Sequence, residues 1–498
     1  MSLGEAGRIP SPYFVFLGKR PAMLFHALLL FLSLSLSLCL FSQPIRFSKT
    51  YDLETSGPPY NSDRGEIILL EDNGYTIALG PLCEHNSRNC IALLRIDSLG
   101  EEMWQKTYKP YPNWFRSSGR PRGFIKTSDG HYLITGDRND PDQPTNHVFL
   151  MKMDIMGDSL WLNTYKDTFM TFGREILELM DGSYLLLADG LESTEDYAPM
   201  DLILMKTDSS GDLLWKNELG FIDSLFWRNQ SAQMEVDSED KLLIAFRSAP
   251  WSIANAHTNR LSRVDLEGNV LWTRSVSHTA CGYYVKALPE GGSIIYGCKE
   301  LPAPPAYIQP FIARLNDSGH ELWTRFFALP LRFIYGMDLT PDGHLLMAGN
   351  YLADAGDVAW IAKYSVDGDS IWSRTYLMEG IPYVNYFFQD VKATADGGLI
   401  ATGMLVDTMP GGHINPNTWV LKLDENGCFS DDCQQDITIT TATREVTLRP
   451  FDQEDWFLLS PNPAVWELNL RLLRTLPSRS GQLEMYDTSG RLVSDRSE

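Results

Sequence analysis

Asp137, Asp140 and Asp142 stand in one short stretch with Asn139 and Asn146, an oxygen-rich set of the kind that holds Ca2+. Their spacing is not that of an EF-hand loop, and a solvated polar loop has the same composition. Ca2+ is therefore the one cofactor left open, and no catalytic, cofactor-binding or metal-ligating residue is assigned. The chain has no Gly-x-Ser-x-Gly elbow, no His-Glu-x-x-His pair and no glycine-rich phosphate cradle. Its nine histidines are scattered, and His131 and His344 occupy the same slot after a turn, as solvated turn residues do. With 64 carboxylates, spacing alone cannot pair any two as acid and base.

Of seven cysteines, Cys39 lies in an apolar leader and six fall as local pairs, Cys83/Cys90, Cys281/Cys298 and Cys428/Cys433. An even count in an exported chain favours disulfides, Cys428–Cys433 first, with free buried thiols as the alternative. No spacing resembles a zinc site.

The elements that position these residues show as a repeat. Asp or Asn, then Gly, then Trp four residues beyond the Gly recurs at Asp97/Gly100/Trp104, Asp154/Gly157/Trp161, Asp208/Gly211/Trp215, Asp265/Gly268/Trp272, Asn316/Gly319/Trp323 and Asp367/Gly368/Trp372. A tight-turn element precedes each Trp by about thirty residues. It reads Asn73-Gly74, Asp129-Gly130, Asp181-Gly182, Gly291-Gly292, Asp342-Gly343 and Asp396-Gly397, with Glu239-Asp240 a degenerate copy. Asn-Gly and Asp-Gly between alternating apolar residues predict type I′ hairpins. Each repeat then parses as four short strands, in the second repeat 123–127, 132–136, 148–154 and 159–165.

Four-stranded units at this period predict an all-β, seven-bladed propeller over 43–437. Only six repeats carry the closing Trp strand. Phe47-Ser-Lys-Thr-Tyr51 matches Trp104-Gln-Lys-Thr-Tyr108 and Trp372-Ser-Arg-Thr-Tyr376, so strand 47–51 is predicted as the outer strand of the last blade, closing the ring. The register tryptophans are expected to fill gaps between blades, each contributing about 2–3 kcal/mol by burial.

Short turns fall on one face of such a ring. The long segments 81–89, 137–147, 191–199, 248–259, 299–309 and 406–418 fall on the other, with linker aromatics Trp114, Phe115, Phe169, Phe172, Phe226, Trp227, Tyr383 and Tyr386. Long loops on a rigid scaffold are where binding concentrates, although each aromatic alone also suits packing between blades.

Lys19 and Arg20 ahead of the apolar run 24–41, with Ser42-Gln43 after it, read as an export signal over 1–42. An uncleaved anchor, a true start at Met23 and lipidation at Cys39 are the alternatives. A net charge of −22 argues against nucleic acid or anionic membrane as partner, and no membrane insertion of the mature chain is expected. Residues 438–456, rich in Thr and charge, read as a linker.

Met151-Lys-Met-Asp154-Ile-Met-Gly157-Asp-Ser-Leu-Trp161 resembles the blades of secreted propeller-like repeat proteins common in Bacteroidetes, a likeness that covers about 44–437. Leu459-Ser-Pro-Asn-Pro-Ala464 and Glu484-Met-Tyr-Asp-Thr-Ser-Gly490-Arg-Leu-Val493 resemble a type IX secretion sorting domain over 457–498. That resemblance implies a partial β-sandwich, secretion machinery as a partner, and a secreted or outer-membrane-surface location. The tail stops at Glu498, where the family continues with further strands. The Asp…Gly…Trp motif is also similar to that of quinone-dependent dehydrogenase propellers, a likeness of blade packing, since those usually have eight blades and added metal and quinone ligands.

The function expected is a non-catalytic binding or adhesion module for a glycan or protein. The alternative is an extracellular glycan-cleaving hydrolase or lyase, or a cofactor-dependent oxidoreductase, with its site at the channel mouth. Carboxylates converging with Arg or His in the channel would favour hydrolysis. An aromatic platform without titratable pairs would favour binding.

Overall fold

The computed structural model describes residues 45–51, 65–80, 82–83, 88–89, 91–108, 115–117, 122–139, 145–167, 170–191, 200–220, 227–250, 258–276, 284–301, 307–327, 331–353, 356–378, 386–408, 414–430, 433 and 436–439, then 457–460, 469–472, 482–486 and 492–497. Seven antiparallel blades account for nearly all of the ring (the third and fourth are joined by one parallel bridge, Met200 to Arg228). The first blade is Gly65–Glu71, Gly74–Leu79, Ile91–Ile96 and Glu102–Tyr108, from inner to outer strand. The inner strands of the third to seventh blades are Met170–Glu178, Trp227–Val236, Tyr284–Ala287, Leu331–Leu339 and Phe387–Ala393. In the second blade that role is shared by Phe115–Ser117 and Phe124–Lys126. The last blade is completed by Phe47–Tyr51, which pairs antiparallel with Ile414–Leu423 in the register Phe47 to Lys422 and Tyr51 to Thr418. The predicted closure is therefore present.

The middle strands are mostly apolar because neighbouring blades cover both faces. Gly74–Leu79 and Ile91–Ile96 are buried at every residue. Outer strands are half-buried or exposed along most of their length, and their register residue bridges to the next blade. A carbon added at Gly157 would sit 3.1 Å from the Trp104 ring, and at Gly427 2.7 Å from that of Trp372. Phe47 takes the same place against Gly100. The outer-strand tyrosines reinforce this contact. Tyr108 donates to the Gly157 carbonyl at 2.5 Å, Tyr165 to that of Gly211 at 2.8 Å and Tyr376 to that of Gly427 at 2.8 Å.

The hairpins correct one expectation. A type I′ turn needs positive φ at both central residues, yet Asp240 is the one non-glycine residue with positive φ among the described residues. The first hairpin of the second blade is instead a three-residue loop, with Thr127 N–H on the His131 carbonyl and Gly130 N–H on that of Thr127. Only Gly130, at φ 84°, is left-handed. Asp97 to Glu101 repeats the geometry, and the Asp97 carboxylate accepts the N–H groups of Leu99 and Glu101. This explains why Asp or Asn opens the motif. A basic residue on each third strand ties down the inner hairpin: Lys152 to Asp129 at 2.6 Å, Arg263 to Asp237 at 2.6 Å and Lys422 to Asp396 at 2.8 Å.

Cys428 and Cys433 form a disulfide, and Cys298 is also disulfide-bonded, while its expected partner Cys281 lies outside the described residues. Asp436–Ile439 adds a parallel strand to the outer edge of the sixth blade, across the expected boundary between propeller and linker at 437/438. Beyond it stand two hairpins, Phe457–Ser460 with Asn469–Leu472 and Gln482–Tyr486 with Leu492–Ser497, each a separate two-stranded sheet. The expected β-sandwich is not seen among the described residues. No helix there is long and apolar enough to cross a membrane.

Candidate functional site

The inner strands line the channel, and pairing with the second strands aligns them residue by residue. One column holds Ile67, Gly123, Glu175, Gln233, Tyr284, Gly336 and Asp390. Its polar members fasten each blade to the next. Met234 N–H donates to Glu175 at 2.6 Å, Val285 N–H to Gln233 at 3.0 Å and Ile68 N–H to Asp390 at 3.0 Å. Two residues further along lies the column Leu69, Ile125, Leu177, Glu235, Lys286, Asp338 and Lys392. It is apolar in the first three blades and charged with alternating sign in the other four.

Lys286 Nζ lies 3.5 Å from Glu235 Oε1 and 3.6 Å from Asp338 Oδ1. The two carboxylate oxygens are thus no farther apart than those two legs end to end. Arg122, from the second blade, reaches Glu235 of the fourth at 2.9 Å. The Glu235 carboxylate, with Glu175 and Asp338 in support, pushes the Arg122 guanidinium above its usual range. Ala393 N–H donates to Asp338 at 3.1 Å, and Lys392 pairs with Asp390 at 2.8 Å.

Exposure separates the roles. The side chains of Glu235 and Asp338 are 12% and 19% exposed and Lys286 23%, so water in the channel reaches them. Glu175 and Asp390 are buried. Burial holds the Asp390 carboxyl above the ordinary carboxylate range, against the pull of Lys392 and of its own backbone hydrogen bond. Tyr296, stacked on Tyr284 at 4.8 Å, is pushed well above its usual value by burial and by the nearby Tyr284, Asp390, Glu175 and Glu235.

A strand irregularity recurs on the long-loop side of these columns, at Glu66, Arg174, Tyr335 and Gln389 in the first, third, sixth and seventh blades and between Gln230 and Gln233 in the fourth. Such bulges re-aim side chains next to functional sites. Arg174 pairs with buried Asp189 and lies over the Phe172 ring at 6.0 Å.

Residues singled out in the sequence fare differently. Asp137 is buried and accepts a 3.0 Å hydrogen bond from Asn146, while Asp140 and Asp142 lie outside the described residues. Among the described residues no group of three His, Cys, Asp or Glu could hold a metal ion. His131 and His344 pair with Asp129 and Asp342 of their own turns. Tyr386 is buried against Trp419, a packing role. Trp114, Phe169, Phe226 and Tyr383 lie outside the described residues, as do the side chains of Phe115 and Trp227. A shallow polar depression beside the disulfide holds Arg46, Trp372 and Arg374, but Arg46 is paired with Asp424 at 2.7 Å and Arg374 bonds the Asn426 carbonyl.

No protein-family model and no curated protein matches the chain. Solved structures match in fold. An α-L-arabinofuranosidase from Fusarium graminearum, with an iminosugar inhibitor, aligns over 76% of this chain and 98% of its own at 9% identity and a TM-score of 0.41. A Penicillium chrysogenum α-L-arabinanase complexed with arabinobiose aligns over the same shares at 11% and 0.39. The propeller domain of the trilobed protease from Pyrococcus furiosus aligns over 72% and 93% at 9% and 0.42. At these identities the likeness shows the propeller fold alone. The expectation of a non-catalytic binding or adhesion module is corrected. The channel gathers the carboxylates Glu235 and Asp338 with Arg122 and Lys286, and carboxylates converging with Arg favour hydrolysis over simple binding.

Proposed function

We propose that the chain is a glycan-cleaving hydrolase with its reaction centre in the channel, at Glu235 and Asp338. The observation that carries this is the pair of water-accessible carboxylates held on either side of Lys286. Glycoside hydrolysis needs two carboxyl groups about 5–9.5 Å apart, one to protonate the leaving oxygen and one to activate water or attack the sugar. In the balanced reaction the glycosidic C–O bond breaks and a water oxygen bonds to the sugar carbon. The water's proton goes to the group that is a carboxylate, and the leaving oxygen takes the proton of the group that is a carboxylic acid. The two then exchange a proton through solvent, which restores the starting state. Lys286 and Arg122 fix the carboxylates while charge moves between them. Asp390, buried and paired with Lys392 at 2.8 Å, is a positioning residue.

The test is reducing-end release from a panel of plant and microbial polysaccharides by the purified full chain. Turnover that falls about 100-fold or more in both Glu235→Gln and Asp338→Asn supports the assignment. Full activity in either variant, or no turnover by the wild type on any glycan, overturns it.

The leader over 1–42 and the tail over 457–498 support a proposal that the enzyme works outside the cell, exported through the type IX route of a Bacteroidetes-like host. Retention of a chain lacking 457–498 inside such a host would bear this out. Unchanged export would refute it.

A further inference from the structure

Three aromatic rings stand on the long-loop side of the charged column. Phe333 and Tyr335, on the inner strand of the sixth blade, stack with centroids 5.6 Å apart and planes 26° apart. Tyr335 meets Phe387, on the inner strand of the seventh, at the same centroid distance. All three are half-buried. Tyr335 is the residue set out of register where the strand pairing shifts between Ile334 and Gly336. A bulge here re-aims the aromatic ring beside the channel.

Each of these strands carries a carboxylate three residues further along: Asp338 after Tyr335, and Asp390 after Phe387. The bulges at Tyr335 and Gln389 each absorb a residue. Each ring therefore lies a little over two strand positions, roughly 7 Å at about 3.3 Å per residue, nearer the long-loop face than its acid, a span longer than one sugar ring. A sugar lying on these rings cannot itself be the one cleaved between Glu235 and Asp338.

We infer that Phe333, Tyr335 and Phe387 form a stacking subsite for an uncharged sugar ring of an oligosaccharide or polysaccharide, remote from the bond that is cut. This rests on the hydrolase reading and names its substrate class. Stacking of a sugar's C–H face on an aromatic ring uses apolar contact with no charge on the ligand. A uronate at this place would find Lys286 and Lys392 already paired with Asp338 and Asp390. The substrate is a neutral chain entering from the long-loop face, with at least one sugar beyond the pair flanking the broken bond.

The test is calorimetric binding of neutral oligosaccharides (xylan-, glucan- and arabinan-derived) and of oligogalacturonate to the full chain carrying Glu235→Gln, with and without a change at Tyr335. Expected is binding of a neutral series that tightens with chain length, weakened about tenfold by Tyr335→Ala and restored by Tyr335→Phe. Thermal unfolding of each variant checks that the fold is retained. An unchanged Kd in Tyr335→Ala, or oligogalacturonate bound as tightly as the neutral chains, overturns the inference. Neutral-chain binding that depends on Tyr335, from a wild type without turnover, would keep the subsite and remove the hydrolase. Turnover with a Kd indifferent to Tyr335 would do the reverse.

Discussion

The hydroxyl of Tyr51 donates a 2.6 Å hydrogen bond to the carbonyl oxygen of Gly100, so the seventh blade holds the first by the contact that Tyr108 makes to Gly157. The junction between chain ends is thus built like the other blade junctions. Tyr51→Phe should cost about 1 kcal/mol in denaturant unfolding, the net worth of one hydrogen bond. Removal of residues 44–52 should cost at least about 3 kcal/mol, because it bares an inner edge along with the Phe47 contact. Equal midpoints for the shortened and intact chains would contradict this.

Asp240 occupies at φ 56° the turn position where Gly130, Gly182 and Gly343 stand in other blades. A side chain in the left-handed region carries a cost that glycine does not. Asp240→Gly should therefore raise stability by about 0.5–1 kcal/mol, seen as a higher thermal midpoint. A lower midpoint would mean that the Asp240 side chain makes a compensating contact.

The ring closure was legible because Phe47 and Tyr51 repeat, at the far end of the chain, the spacing of Trp104 and Tyr108. Glu235, Lys286, Asp338 and Lys392 were not, because their partners come from other blades and no local spacing brings them together. A signal did exist. In the column where these four stand, the first three repeats carry Leu69, Ile125 and Leu177, so charge in an apolar slot was the mark. Reading it requires the inner strands to be aligned through the bulge that precedes them. Asp137 and Tyr386 misled for the opposite reason. Each lies beside a long loop, where residue type suggested a ligand, and each is buried by its neighbours.

Acid should weaken the ring through the hairpin carboxylates. Asp129 is held well below the ordinary carboxylate range by Lys152, Thr127 and His131, which outweigh its burial. Asp342 is held low by Thr340, Lys363 and His344. A depressed carboxylate contributes stability above its unfolded value of 3.8 and loses it as pH falls through the folded value. The thermal midpoint should fall progressively below about pH 4, and less steeply in Asp342→Asn. An identical slope in that variant would remove Asp342 from the account.

Asp390 has the opposite sign. Its folded value lies above 3.8, so its contribution is present below that pH and is lost as pH rises through the folded value. Asp390→Asn keeps an acceptor for the Ile68 N–H and removes the ionisation. Its midpoint should gain on the wild type as pH rises above 4, and a constant difference across that range would show that Asp390 does not titrate there.

Blade seven joins residues 47–51 to 418–422, so the earliest of the blade strands in chain order is paired with the latest. For as long as synthesis continues, that early strand has no partner and the ring has no completed state to fall into. Contacts so remote in sequence make assembly slow and expose edges while it waits. The ring therefore cannot lock shut until the stretch around residue 422 has also been made.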